Sequence, residues 1–435
     1  MGPRKDLRLC SRRDVLRAGP CAWAGLRSAD GASGVTPAVA IEQAHAEMWR
    51  RFIDRHGVII DFTALDGSVR LPSPEECRLG KPNALGWWSP IENGAMFNGQ
   101  YMDAIVNRWR LTQSADDARK ARRLMQGLLL LNSISAVKGF IGRGVSSDGR
   151  SHYPMGSDDQ TLPWFYGLWR YYESGIATPA EEARIRAHLT EAAGEIVRLN
   201  WSMPAEPPFG TRGTFRGFTF KGAARQLFVC KLMHAVTGGP QWAQRYQEGL
   251  REEDPATKKT RLSLCERGLT AEDGRLDFWT SCSDVASLRG LWELERETAV
   301  KEAFARGLEA SAARAMQGLP LAGRFDSNDG TVFDPDWRMM NQWWKPQTSA
   351  QESENLAKAQ LREFLRVSPR RAKETAYVRE PTSASWVVTL APDAATLRQR
   401  VPAIEAVITR YDYARLYYSQ FFWVESAWWR LKSLG

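Results

Sequence analysis

Ser114–Ile134 reads SADDARKARRLMQGLLLLNSI. Ser114 stands as an N-cap, Asp116 and Asp117 meet the positive end of a helix dipole, and basic residues follow one turn later, so the stretch predicts a helix. Apolar residues at three and four spacing give it one buried face. Equivalent starts recur at Thr178-Pro179-Ala180-Glu181-Glu182, at Gly239-Pro240-Gln241 and at Thr298, at intervals of roughly sixty residues, which is an internal repeat. Each unit has a charged amphipathic helix (114–134, 178–199, 240–252, 298–317), a long loop rich in Gly, Asp and aromatics, and a less charged helix (158–174, 220–237, 281–296, 348–366). Stretches 40–55, 93–111, 400–410 and 411–432 bring the total to about twelve helices. Strand-like runs are rare. Consecutive hairpins with one exposed and one more apolar class predict an all-α fold, an (α/α)6 barrel of six inner and six outer helices with long loops on one face. An open helical solenoid is the alternative, disfavoured because its connections are normally short whereas these run about 15 to 40 residues.

The 435 residues are 43% hydrophobic and 25% charged, which excludes disordered, collagenous and disulfide-scaffold classes. Eighteen tryptophans, with 11 Tyr and 17 Phe, exceed what a core of this size needs. Of the net charge of +9, the first 30 residues carry +4, and no basic helix face with interleaved aromatics follows, so a nucleic-acid partner is not expected. Nothing predicts a membrane span. The cysteines at 10, 21, 77, 230, 265 and 282 lack any metal-ligand spacing, and the sequence leaves open whether any of the last four pair. No phosphate-cradling or dinucleotide motif is present, so neither a metal nor a cofactor is expected.

Ser11-Arg12-Arg13-Asp14-Val15-Leu16 resembles the twin-arginine export signal of bacteria, with Ala38-Val39-Ala40 as a small-x-small cleavage pattern, although Arg17, Arg27 and Asp30 interrupt the apolar segment. The expected organisation is a leader over 1–37 and one catalytic domain over 38–435, with a periplasmic or secreted location. A disordered cytoplasmic tail is the alternative.

The segment 139–166, GFIGRGVSSDGRSHYPMGSDDQTLPWFY, gathers Arg143, Asp148, Arg150, His152, Tyr153, Asp158, Asp159 and Gln160 just ahead of Trp164. Two adjacent carboxylates can split their pKa values, leaving one as acid and one as charged partner. Neighbours on a helix point about 100° apart, so one of Asp158 and Asp159 is expected to face the cavity. His152 and Tyr153 form a pair able to move a proton, and Arg143 and Arg150 could fork onto a carboxylate or pair with Asp148. Trp87 and Trp88, with Glu92 or Asp103 as partner carboxylate and Asn93 as orienter, precede the 93–111 helix at the corresponding end of an earlier hairpin. Trp343 and Trp344 repeat that placement before 348–366, and the three segments are expected to surround one cleft. Asp326-Ser327-Asn328-Asp329-Gly330 has the look of a calcium loop but lacks its closing glutamate, so a polar turn is expected.

The repeat order, the long loops before the inner helices and the abundance of tryptophan resemble the six-hairpin glycosidase-like superfamily over most of 40–432. That superfamily includes unsaturated glucuronyl hydrolases, other α/α-barrel glycosidases, incomplete-toroid polysaccharide lyases and N-acylglucosamine epimerases. The resemblance implies a glycoside hydrolase for an acidic oligo- or polysaccharide, with Asp158 or Asp159 as one catalytic carboxylate and a second on a neighbouring hairpin. A β-eliminating lyase using His152 or Tyr153 is the alternative, followed by an epimerase and a non-catalytic glycan-binding toroid.

Overall fold

The computed structural model describes residues 34–270 and 277–433, so the leader-like motif lies outside the described residues. The small-x-small tripeptide Ala38–Ala40 lies in the first turn of a helix, with Ala40 buried. The described chain is predominantly helical. In chain order its helices are α1 (Pro37–Glu47), α2 (Pro74–Leu79), α3 (Gly94–Thr112), α4 (Ala115–Leu131), α5 (Asp158–Tyr172), α6 (Pro179–Arg198), α7 (Phe220–Thr237) and α8 (Pro240–Arg251). There follow α9 (Arg261–Arg267), α10 (Phe278–Leu294), α11 (Thr298–Ala315), α12 (Ala350–Val367), α13 (Arg370–Glu374), α14 (Glu380–Thr389), α15 (Ala394–Ile408) and α16 (Trp423–Lys432). Strands β1 (Ser202–Pro204) and β2 (Thr211–Thr214) form an antiparallel pair in the loop between α6 and α7.

The expected helix starts hold, two of them closed by side-chain caps, while α8 and α11 begin without one. Ser114 accepts from the Asp116 amide at 3.2 Å, and Thr178 and Glu181 close a capping box. The charged helices α4, α6, α8 and α11 each bury one stripe. On α4 that stripe is Leu124, Leu128 and Leu131, all fully buried, each stabilising by about 2 kcal/mol relative to exposure.

Contacts between the apolar helices run α3 to α5, α5 to α7, α7 to α10, α10 to α14, α14 to α16, and from α16 back to α3. Outside this circuit, α4 packs on α3 and α5, α6 on α5 and α7, α8 on α7, α11 on α10 and α14, α15 on α14 and α16, and α1 on α16. One position departs from the sequence reading. The 348–366 segment was expected among the apolar helices of the repeat, but α12 packs on a 3-10 turn (Trp337–Trp343) and on α13, while α14 takes the place in the circuit.

The α3–α5 crossing is the tightest point. A Cβ added at Gly99 would fall on the Pro163 carbonyl, and one at Gly167 on the Gly99 backbone, so both positions must be glycine for the helices to approach this closely.

The circuit helices share a direction, because their first turns meet one another and so do their last. Gln160 of α5 accepts from the Met96 amide of α3, and Glu380 of α14 accepts from the Phe278 amide of α10. At the opposite end, Asp103 of α3 receives Arg170 of α5 at 3.0 Å, Arg430 of α16 at 3.2 Å and the Trp386 indole of α14 at 3.1 Å. Glu293 of α10 takes Arg170 at 2.9 Å and Arg430 at 2.8 Å. Five of the six helices therefore send side chains into one buried ionic knot, in which Asp103, Arg170 and Arg430 are each at most 5% exposed. The Asp103 side chain turns into the circuit rather than toward Arg108 or Arg110 on its own helix.

Candidate functional site

The first two turns of α5, α7 and α10 place three carboxylates around two cations. Ser157 caps α5 by accepting from the Gln160 amide, which puts Asp158 and Asp159 in the first turn. On α7, Lys221 and Arg225 lie one turn apart and so share a face. Fully buried Arg225 donates to Asp158 at 2.9 Å, to Asp159 at 2.9 Å and to Asp284 of α10 at 2.5 Å. Half-exposed Lys221 reaches Asp158 at 2.8 Å and Asp159 at 3.2 Å. Both carboxylates of the pair thus face the same cations, where only one was expected to turn inward, because the guanidinium fork and the lysine span the angle between them.

Burial opposes ionisation of Asp159, but Lys221 and Arg225 outweigh it and hold its pKa well below the usual carboxylate range. Asp284 goes the other way. Its burial wins over the Arg225 charge and raises its pKa.

A second polar chain runs through the start of α3. Asp61 accepts from the Asn93 amide at 2.9 Å and from the Asn93 side chain at 2.7 Å, and Asn93 accepts from Gln160 at 3.2 Å. Asn93 therefore links Asp61 to the helix bearing the acidic pair, and its side chain does not cap α3. Burial, reinforced by the charge of Glu92, raises Asp61 well above the carboxylate range. Glu92 accepts from the Trp88 amide at 2.7 Å and lies 3.8 Å from Arg371, whose guanidinium stacks over the Trp88 ring. Trp88 is left-handed, at φ 75°, and its indole donates to the Ala357 carbonyl at 2.7 Å. Strain of this kind costs about 1–3 kcal/mol and persists only where surrounding contacts hold it, as these do.

Glu380, at the first residue of α14, completes the acidic groups at this end. Burial, with Asp277 adding to it against Arg379, raises its pKa to about 7. A carboxyl whose folded pKa exceeds its unfolded value binds more protons when folded, so it subtracts stability as pH rises from about 4.5 to about 7. The Glu380→Gln variant is expected to lose this part of the slope in denaturation midpoints measured between pH 4.5 and 7.5. An unchanged slope would remove Glu380 as a proton-holding group.

The other expected site residues divide into those brought to this end and those that support it. Arg212 stacks over Trp87 at 5.4 Å and donates to the Gly156 carbonyl, and the neighbouring Gly213 lies against Asp158, so a short run of contacts joins Trp87 to the acidic pair. Trp344 donates to the Gly80 carbonyl at 3.0 Å with Lys81 over its ring, which sets the 343–344 segment against the turn leading to Trp87. Trp343 is exposed.

Arg143 is buried and spends its guanidinium on the carbonyls of Glu92, Met155 and Gly156, and burial lowers its pKa to about 9. It pins the loop to α3 and makes no pair with Asp148. Asp148 instead closes its own turn on Ser146, Ser151 and the Arg150 amide, leaving the Arg150 side chain exposed. Tyr153 is buried, donates to the Lys81 carbonyl at 2.6 Å, and has its pKa pushed far up by that burial. His152 sits between the Arg150 carbonyl and Glu206, each at 3.0 Å. Burial opposes its charge, but Glu206 outweighs that and raises the pKa. Gln160 is fully buried in the polar chain described above. Trp164 is fully buried and donates to the Leu128 carbonyl of α4, on the side of α5 away from Asp159's cations.

Residues not singled out by sequence carry much of this site: Asp61, Lys221, Arg225, Asp284, Arg371 and Glu380. Two cations a turn apart in the otherwise apolar start of α7 were the one available signal. Asp326 accepts from the Asn328 amide in a polar turn, and Asp329 pairs with Lys373. Among the described residues, no three His, Cys, Asp or Glu side chains are placed to hold a metal ion, and Cys77, Cys230, Cys265 and Cys282 are free and buried. No helix among the described residues is long and apolar enough to cross a membrane. No protein-family model, curated protein or solved structure matches the chain.

Proposed function

We propose that the protein is a glycoside hydrolase acting on an acidic, uronate-containing oligo- or polysaccharide, and that its helix circuit is the inner wall of an (α/α)6 toroid. The observation that carries this reading is the opposed environment of carboxyl groups at one end of the circuit: Lys221 and Arg225 hold the Asp159 pKa below the carboxylate range, while burial raises those of Asp61 and Glu380 above it. An acid beside a charged carboxylate is what cleavage of a glycosidic bond requires. Asp159, 32% exposed at its side chain, is the charged partner, and the acid comes from Glu380 or from Asp61. Lys221, with the first turns of the circuit helices around it, favours a negatively charged sugar, and Trp87 and Trp88 offer an aromatic platform for its C–H face.

The lyase alternative has less support. It needs His152 or Tyr153 as base, yet one is tied to Glu206 and the other is buried on a backbone carbonyl. Export through the leader-like segment belongs to the same proposal. The test is incubation of the purified protein with a panel of uronate-containing oligosaccharides, with products read by mass. Gain of one water per bond cleaved supports hydrolysis. Cleavage without mass gain, accompanied by the ultraviolet absorbance of an unsaturated uronide, overturns it in favour of elimination.

A further inference from the structure

We propose a second ligand site, separate from the acidic end, that takes a hydroxylated carboxylate of monosaccharide size. It is a cavity of about 340 Å³ between the 200–218 loop, α7 and α8. Its floor includes Gln226, only 8% exposed, whose Oε1 is buried and accepts no hydrogen bond from any described residue. A buried amide oxygen without a donor is costly, and a ligand hydroxyl is the group that would satisfy it. Gln226 follows Arg225 directly, so about 100° of helix rotation turns it away from the acidic cluster and into this cavity.

The rest of the lining specifies the ligand further. Trp201 and Phe218 supply aromatic surface for the C–H face of a sugar ring. The Asn200 and Trp201 pair is left-handed at both residues, at φ 52° and 63°, which is how the chain carries Trp201 to the cavity. Arg261 is spent, donating to Glu252 and to the carbonyls of Arg216 and Gly217, and it stacks on Phe218 as part of the frame. The side chains of Arg216 and Arg245 make no hydrogen bond or ion pair to a described residue, and they outnumber Glu248, the one carboxylate of the lining not paired to a cation. Unpaired guanidinium groups at the mouth and a lone acceptor on the floor match a carboxylate at one end of the ligand and a hydroxyl at the other.

This site does not rest on the hydrolase reading, since it uses none of the residues assigned there. Full-length protein titrated with glucuronate, and in parallel with glucose and with acetate, is followed by calorimetry and tryptophan fluorescence. Glucuronate is expected to bind saturably and more tightly than either control. Gln226→Leu and, separately, the exposed Arg245→Ala are each expected to weaken it about 10-fold, whereas the surface control Arg306→Met leaves it unchanged. The leucine variant keeps the buried volume and removes an unsatisfied polar atom, so folding is retained. No glucuronate binding, equal binding of acetate or glucose, or full binding retained in Gln226→Leu would each overturn the proposal.

Discussion

Arg225→Met is expected to destabilise the protein by about 3–5 kcal/mol, read as a large fall in the denaturation midpoint, because it leaves three buried or half-buried carboxylates around the space of one removed charge. Arg306→Met is the control. Arg306 pairs with Glu266 at 2.8 Å on the surface, where the loss is expected to be below about 1 kcal/mol. The pH dependence follows from Asp159. Its folded pKa lies below the ordinary value of 3.8, so its contribution is complete above that pH and is lost as pH falls through the folded value. The gap between parent and Arg225→Met should therefore narrow in acid. If the two variants at 225 and 306 lose the same small amount, Arg225 does not hold these helices together.

Asp159→Asn is expected to lower kcat/KM on a cleaved uronate-containing oligosaccharide by about 10²- to 10⁴-fold, the range for loss of a positioned proton-transfer or charge-stabilising group. The substitution keeps the shape and can still accept from Lys221 and Arg225, so the denaturation midpoint should move far less than in Arg225→Met. Glu380→Gln and Asp61→Asn, measured on the same substrate, separate the two candidate acids, since only loss of the true acid should abolish the acidic-to-neutral limb of the pH–rate profile. Full activity in Asp159→Asn would remove the acidic pair from the mechanism.

Much of the helical architecture was legible because its signals are local. Ser114, Thr178 with Pro179, and Pro240 each mark a helix start within a few residues, and the stripes behind them have a helical period. The helix at 380–389 was not legible, for two reasons in its own letters. Pro381 reads as a breaker, but the helical run continues through it because a π-helical turn over Thr375–Arg379 precedes it and absorbs the lost backbone bond. Thr382, Ser383 and Ser385 read as polar surface but are buried, with hydroxyls turned back onto the carbonyls of Val378, Arg379 and Pro381.

The site divides in the same way. Asp158 and Asp159 stood out by adjacency, and Trp87 and Trp88 by doubling. The partners of the acidic pair could not be read, because Arg225 reaches it from another repeat and is itself held by Asp284 from a third, and Glu380 owes its raised pKa to burial against the start of α10 more than a hundred residues earlier in the chain.

The ionic knot at the far end of the helix circuit has a consequence for traffic. With Asp103, Arg170 and Arg430 buried there and joined to Glu293, the interior is plugged by side chains from five helices rather than left open as a tunnel. On the proposed reading a polymer cannot be threaded through and processed along its length. Substrate has to enter, and product has to leave, by the acidic end alone.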